Sequence, residues 1–486
     1  MKIAFVDGPW PGHGHRTQRW PHKNPGGNIN PPPLFQMYAA SVARQKGAEV
    51  RLWDSPAQGY GYETLMGELT GFAPQIVVLN TSTTSFDHDL KCIRLIKDKL
   101  DTFLVAVGPH VTALYKSVME DVRELDAIAL GEYDETIADI AGNLSDLTVV
   151  PGIVFRKGKE ILITKERPLI SDLDSLPFPA WDLVDINLYW ESTFPKSRKP
   201  VATLMSSRGC AFRCSYCLYP QVLFRHKLRY RKIERVIDEI DWLGKNSGAR
   251  FFYFEDDNFT GSWKRVESFC NKLLEQKKSI HWACLSRIDG VTEERLRLMK
   301  KAGCFLIKYG IESGVQDTLD HISKKTSLEK IEYAFKLTNK VGMMTHGTVM
   351  MGAPNDTMES IRQTRNFVRR ISPDSVQFSI CTPLPGTEFW DECVKEGWLD
   401  YSKWEDFDGV CGGTLNYPSL SKEKIHKAIK DSYLHYYSSV PHIRQRLRRL
   451  IFGPERFSQF IRNFWLLRRL FSVLREKAGE RFARSR

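Results

Sequence analysis

Three cysteines carry the densest chemical signal in the chain: Cys210, Cys214 and Cys217 stand in C-x3-C-x2-C spacing. Thiolates are the usual ligands of iron–sulfur clusters, and a four-iron cubane ordinarily takes four of them. Three from one short loop bind three irons and leave the fourth an open position for a substrate. The plainer alternatives are three buried cysteines or a zinc site. Zinc wants a fourth ligand in familiar spacing, and the nearest, His226, lies well beyond the loop. The remaining cysteines are isolated from one another, and without a secretory signal ten cysteines in 486 residues do not suggest a disulfide framework. Cys411 is a candidate redox thiol, but nothing beside it in sequence lowers a thiol pKa from about 8.5, so it reads as structural.

A reactive loop needs a frame. From Val201 six strand-like runs alternate with helical ones: Val201–Ser206, Phe251–Glu255, His281–Ser286, Phe305–Tyr309, Thr345–Met350 and Ser375–Ile380. Six βα units in series fit a partial, TIM-like (β/α)6 barrel, which holds active groups at the carboxyl ends of its strands. The cysteine loop follows the first of them. Upstream, Lys2–Val6, Glu49–Leu52, Gln75–Leu79, Phe103–Val107 and Ala127–Ala129 alternate with helical stretches. That rhythm predicts a Rossmann-like, doubly wound parallel sheet. The expected division is 1–145, a connector over 146–200 with a hairpin near Gly158, the barrel over 201–400, and a helical region over 401–486.

With Tyr216 just before its third cysteine, the loop resembles the signature of the radical S-adenosylmethionine superfamily. The resemblance implies that Cys210, Cys214 and Cys217 ligate a [4Fe–4S] cluster whose open iron chelates S-adenosylmethionine. It also implies cofactor contacts from Tyr216, from Asp256 and Asp257 after the second barrel strand, and from Glu312 and Ser313 after the fourth. Taken alone, these acidic strand ends could equally be helix N-caps. The loop Thr382-Pro383-Leu384-Pro385-Gly386-Thr387 resembles the family's closing loop after the sixth strand.

Ahead of that loop, the strand ends of the first domain carry Asn80 to Ser85, Gly108-Pro109-His110 and Gly131 to Thr136. In this order they resemble the cobalamin-binding domain of B12-dependent radical S-adenosylmethionine enzymes. Asp7, Ser82, Thr83, Thr84, Gly108, His110, Gly131 and Glu132 are the cobalamin contacts the resemblance implies. Many cobalamin domains place a cobalt-ligating His in D-x-H-x-x-G after strand one; here Pro9 stands in its place, and proline cannot ligate a metal. Cobalamin bound without that histidine is the expectation, with His13 and His15 as possible substitutes. A flavin, or no ligand, is the other reading of such a sheet.

The net charge of +12 is concentrated at one end, since residues 441–486 hold 13 Lys or Arg against 3 Asp or Glu. There Ile443, Leu447, Leu450 and Phe457, Phe460, Phe464, Leu467 and Phe471 recur at helical spacing among arginines. Such a helix could lie on an anionic membrane surface, pack on the barrel, or, least in keeping with its aromatic face, touch nucleic acid. No apolar run reaches the ~18–20 residues of a membrane span. A cytoplasmic enzyme, at the inner membrane face if the tail attaches, is expected.

The family resemblance implies methyl transfer to an unactivated carbon, with an external electron donor such as a flavodoxin or ferredoxin; a lipid-facing tail would suit a hydrophobic substrate, lipid or tetrapyrrole-like, with a secondary metabolite as the other class. Anaerobic radical ring closure without methyl transfer is the alternative, and a non-catalytic cobalamin or iron–sulfur sensor a distant third.

Overall fold

Two sheets follow one another along the chain, the first mostly and the second wholly parallel. The computed structural model describes residues 1–10, 14–15, 22–23, 30–191, 199–410 and 412–445. Expectations for His13, for Cys411 and for the basic tail beyond Gln445 lie outside these residues, and His15 is described only as backbone in a two-residue ribbon. Among the described residues no helix is long and apolar enough to cross a membrane.

The first sheet contains β1 (Lys2–Asp7), β2 (Glu49–Asp54), β3 (Ile76–Asn80), β4 (Phe103–Val107), β5 (Ala127–Ala129), β6 (Ile153–Lys157) and β7 (Glu160–Ile163), in the order β2-β1-β3-β4-β5-β6-β7. The first five are parallel. Runs such as Ile76-Val77-Val78-Leu79 are wholly buried, as strands covered on both faces must be. Alternate residues face opposite helices. Ile76 and Val78 share one core with Met37 and Ala40 of α1 (Leu34–Gln45). Val77 and Leu79 share a second core with Leu65 and Leu69 of α2 (Tyr62–Phe72) and Ile93 and Ile96 of α3 (Phe86–Lys99).

The hairpin expected inside the connector belongs instead to this sheet. Ala127 pairs antiparallel with Phe155 and Ile128 with Val154, so β6 covers the edge that the short β5 would otherwise leave open. Apolar Ile153, Val154 and Phe155 gain burial from that pairing, which drew the first sheet past residue 145.

The second sheet runs β8 (Val201–Leu204), β9 (Phe251–Phe254), β10 (His281–Ser286), β11 (Cys304–Glu312), β12 (Met344–Met351) and β13 (Ser375–Ile380), all parallel and in chain order. Ile307, Tyr309 and Ile311 point outward into the helix-covered core; Tyr309 packs on Phe335 of the helix Leu328–Val341. The intervening residues of the same strands, Lys308 among them, therefore face the barrel interior. The sheet is an open, partial barrel: β8 and β13 are its two edges. The β13 edge is covered by the helix Lys422–Tyr437.

Candidate functional site

Immediately after β8 the chain forms a two-residue ribbon, Ser207-Arg208 against Arg229-Tyr230, and turns at Gly209. That glycine has φ +87°, and a Cβ there would lie 2.1 Å from the Lys227 carbonyl oxygen, so only glycine fits. The cysteine loop follows. Cys217 N–H donates to the Cys214 carbonyl (3.1 Å) and Ser215 N–H to Ile322 O (3.1 Å). The Gln221 side-chain amide, on the short helix α4 (Leu218–Val222), donates to the carbonyls of Cys214, Ser215 and Cys217 at 3.3, 3.0 and 2.9 Å. These bonds hold the loop backbone without using any sulfur.

None of the three cysteines is in a disulfide; Cys210 and Cys214 are buried and Cys217 half-buried. Among the described residues no three His, Cys, Asp or Glu side chains converge on one metal-ion position. A cubane takes each thiolate on a different iron. The donor set and its braced loop fit a cluster.

The acidic strand ends divide. Asp257 Oδ2 accepts from Gly209 N–H at 2.8 Å. Asp256, fully buried, accepts from Ser206 N–H and from the Ser206 and Ser207 hydroxyls at 2.7, 2.5 and 2.7 Å. Burial pushes its pKa up against those hydrogen bonds. Both carboxylates brace the entrance to the loop. Glu312 sits where the β11–β12 register slips, at φ +62°, and pairs with Lys324 Nζ at 2.6 Å. The Tyr216 hydroxyl lies 3.5 Å from the same ammonium, so Tyr216 and Glu312 do meet. Ser313 turns away: its hydroxyl faces Thr364 (3.3 Å) and accepts from Val315 N–H.

In the first domain a crevice open to solvent lies over the carboxyl ends of β1, β3 and β4. Its walls include Asp7, Asn80, Thr81, Ser82, Gly108 and Pro109, with Tyr219 and Leu223 from the chain just after the cysteines. The order β2-β1-β3 reverses direction here, the place where such sheets bind ligands. Asn80 Nδ2 donates to Asp7 Oδ1 at 2.8 Å. Gly108 has φ +110°, and a Cβ would meet Thr81 O at 2.3 Å. The bare backbone at that point lets a bulky ligand approach the strand ends closely, as a corrinoid would need.

Of the expected contacts, Asp7, Ser82 and Gly108 are in these walls, and Thr83, Thr84, His110, Gly131 and Glu132 are not. Thr83 Oγ1 lies 3.3 Å from His110 Nδ1. The His110 ring is sealed between Phe86 and Trp404, with centroids at 4.0 and 4.7 Å, and burial pushes its pKa down to about 3.

The family model of the B12 binding domain matches residues 29–141, and that of the radical SAM superfamily matches residues 204–368. The chain is a B12-binding radical S-adenosylmethionine protein. Over 411 residues it is 28% identical to an uncharacterised methyltransferase of Pyrococcus horikoshii, covering 84% of this chain and 88% of that one. It is also 28% identical over 376 residues to the anaerobic magnesium-protoporphyrin IX monomethyl ester cyclase of Rubrivivax gelatinosus, covering 75% and 66%. In fold it is similar to the radical S-adenosylmethionine methyltransferase TsrM of Kitasatospora setae (TM-score 0.68, 15% identity, 89% of this chain and 88% of that one).

In this B12-binding radical S-adenosylmethionine protein, Glu132 serves the joint between the domains rather than the crevice. It pairs with Arg208 (3.1 Å) and Arg229 (2.7 Å), and Ile170 N–H donates to it. Burial raises its pKa, but the two guanidinium groups outweigh burial and hold it low. Arg208, Arg229, Gln221, Lys324 and Arg287 were not singled out in the sequence. Arg208, Arg229 and Arg287 meet partners far away in the chain, whereas Gln221 and Lys324 lie close to theirs but in no recognisable spacing.

Proposed function

We propose that the chain transfers a methyl group to an unactivated carbon, with Cys210, Cys214 and Cys217 holding the [4Fe–4S] cluster and the crevice at Asp7, Ser82 and Gly108 holding cobalamin. The observation that carries this reading is the shared wall: Tyr219 and Leu223, within six residues of Cys217, close the crevice over β1, β3 and β4. Two cofactor sites that share a wall can serve one substrate. When bound, the cluster would supply one-electron cleavage of S-adenosylmethionine and the corrinoid a methyl relay.

The chain's own groups do the rest. Gln221 fixes the loop; Glu312 and Lys324 offer a buried carboxylate and ammonium beside Tyr216. Inside the barrel Lys308 pairs with Glu191 at 2.9 Å and lies in register with His346, whose Nδ1 is 2.8 Å from the Ser375 hydroxyl. An external one-electron donor, such as a flavodoxin or ferredoxin, would supply the reducing equivalents.

Product analysis tests the reading. Loaded protein given S-adenosylmethionine, reductant and candidate acceptors should release both S-adenosylhomocysteine and 5′-deoxyadenosine. Release of 5′-deoxyadenosine alone would favour the ring-forming chemistry for which the Rubrivivax gelatinosus relative is named.

A further inference from the structure

Arg287 reaches the cysteine loop from a different strand. It follows β10 directly and is 6% exposed, and its backbone N–H donates to Asn258 Oδ1 at 3.1 Å. Its side chain is held on four sides. Nε donates to Asp289 Oδ2 (2.7 Å) and Nη2 to the Lys324 carbonyl (2.6 Å). The guanidinium carbon lies 3.6 Å from the Phe212 ring centroid. Nη1 donates to Cys214 Sγ at 3.7 Å. A guanidinium is a rigid planar fork, so oxygen partners on Nε and Nη2 leave Nη1 aimed at the sulfur.

We propose that Arg287 sets the reduction potential of the cluster, donating a hydrogen bond to the Cys214 sulfur and placing a buried positive charge against it. The inference rests on the cluster reading above. Cluster potentials respond to hydrogen bonds to sulfur, to net charge and to solvent exposure. Reduction adds one electron, taken from the external donor, with no bond made or broken and no proton required. A nearby cation stabilises the more negative state more than the less negative one, and more strongly where water is excluded. Phe212 covers the guanidinium face. Asp289, on the far side of the fork, has a side chain 35% exposed against 7% for Arg287, so its charge is the better screened and the field at the sulfur is positive.

The test compares anaerobically reconstituted wild type, Arg287→Lys and Arg287→Met. Iron and sulfide content are measured first; then a redox titration is followed by electron paramagnetic resonance, and S-adenosylmethionine binding is measured separately. Arg287→Met with a full cluster should titrate at more negative potential. At the wild-type midpoint its reduced-to-oxidised ratio should fall about tenfold, which is 59 mV for a one-electron couple. Arg287→Lys, which keeps the charge but not the fork, should fall between. If Arg287→Met titrates with the wild type while S-adenosylmethionine binds more weakly, the arginine serves the sulfonium ligand's carboxylate and the proposal is overturned. Should Arg287→Met not take up iron, Arg287→Lys decides alone, and an unmoved midpoint overturns it. A wild-type protein with no iron–sulfur signal would instead sink the cluster reading itself.

Discussion

Arg208 and Asp134 form a two-pronged ion pair across the domain boundary, with Nη1–Oδ2 and Nη2–Oδ1 both at 2.8 Å and both side chains 2% exposed. Arg208 stands two residues before Cys210, so the pair ties the start of the cysteine loop to the first domain. A buried pair can contribute little net stability when formed, yet loss of one partner strands the other charge at a cost of about 3–5 kcal/mol. Asp134→Asn keeps the shape and removes the charge. Arg208 keeps Glu132 as a second partner, so the unfolding free energy from urea titration should fall by less than that full cost, by about 1–3 kcal/mol, while Arg94→Gln, at an exposed pair with Glu124, should move it by less than about 1 kcal/mol.

The free edge of β13 is closed by two hydroxyls. Tyr433 OH accepts from Phe378 N–H (3.0 Å) and donates to Phe378 O (3.2 Å). One turn on, Tyr437 OH does the same for Val376, at 3.3 Å each way. A spacing of four on a helix matches two residues on the edge strand, because the intervening Gln377 presents its backbone to β12. Tyr433→Phe with Tyr437→Phe keeps both rings and leaves these backbone groups unpartnered. Stability should drop by about 1–3 kcal/mol for each stranded group that water cannot reach. Light scattering should rise with concentration as the bared edge recruits other chains. A double variant with wild-type midpoint and scattering would show that water satisfies the edge.

Much of the frame was legible in the sequence because parallel strands buried on both faces are short unbroken apolar runs. Phe103–Val107, Ala127–Ala129, His281–Ser286 and Ser375–Ile380 stand at the expected limits. β11 runs on to Glu312, where it was expected to stop at Tyr309, because Gly310 admits the slip in register. The cysteines were legible because their spacing is local. Their surroundings were not. Glu132 looked like a crevice residue from its place after a strand, and only the fold shows that Arg208 and Arg229 claim it. His110 followed the same strand-end logic, but Trp404 crosses from the far end of the chain and seals it. Contacts between residues 300 apart leave no periodicity to read.

That seal has a pH consequence. Burial holds the His110 pKa at about 3, against 6.5 for an ordinary histidine. The unfolded state therefore binds one more proton than the folded state between those values. The stabilisation is complete above pH 6.5 and is lost as pH falls through that window, with a slope of about 1.4 kcal/mol per pH unit for one proton. His346, also held near 3 by burial and by Lys308, should add the same slope. His110→Phe should remove one proton from the unfolding linkage, flattening the acid limb of denaturation midpoints between pH 6.5 and 5. An unchanged slope would mean that acid opens the Trp404 contact before the chain unfolds.

Gly108 offers a test of the crevice that leaves the cysteines untouched. At φ +110° any side chain is strained, and a Cβ would stand 2.3 Å from Thr81 O and 2.9 Å from Asn80 Oδ1, both in the crevice wall. Relief can come only by moving the β4 turn away from β3. Strain of this kind costs about 1–3 kcal/mol, which a two-domain protein of this size should survive. Gly108→Ala should therefore fold and load its cluster, while cobalamin retained after gel filtration falls at least tenfold. Gly142→Ala is the control, since a Cβ there meets nothing within 4 Å at an ordinary backbone angle. Full retention of cobalamin by Gly108→Ala would place the corrinoid elsewhere; loss of iron as well would mean that the two domains do not tolerate strain separately.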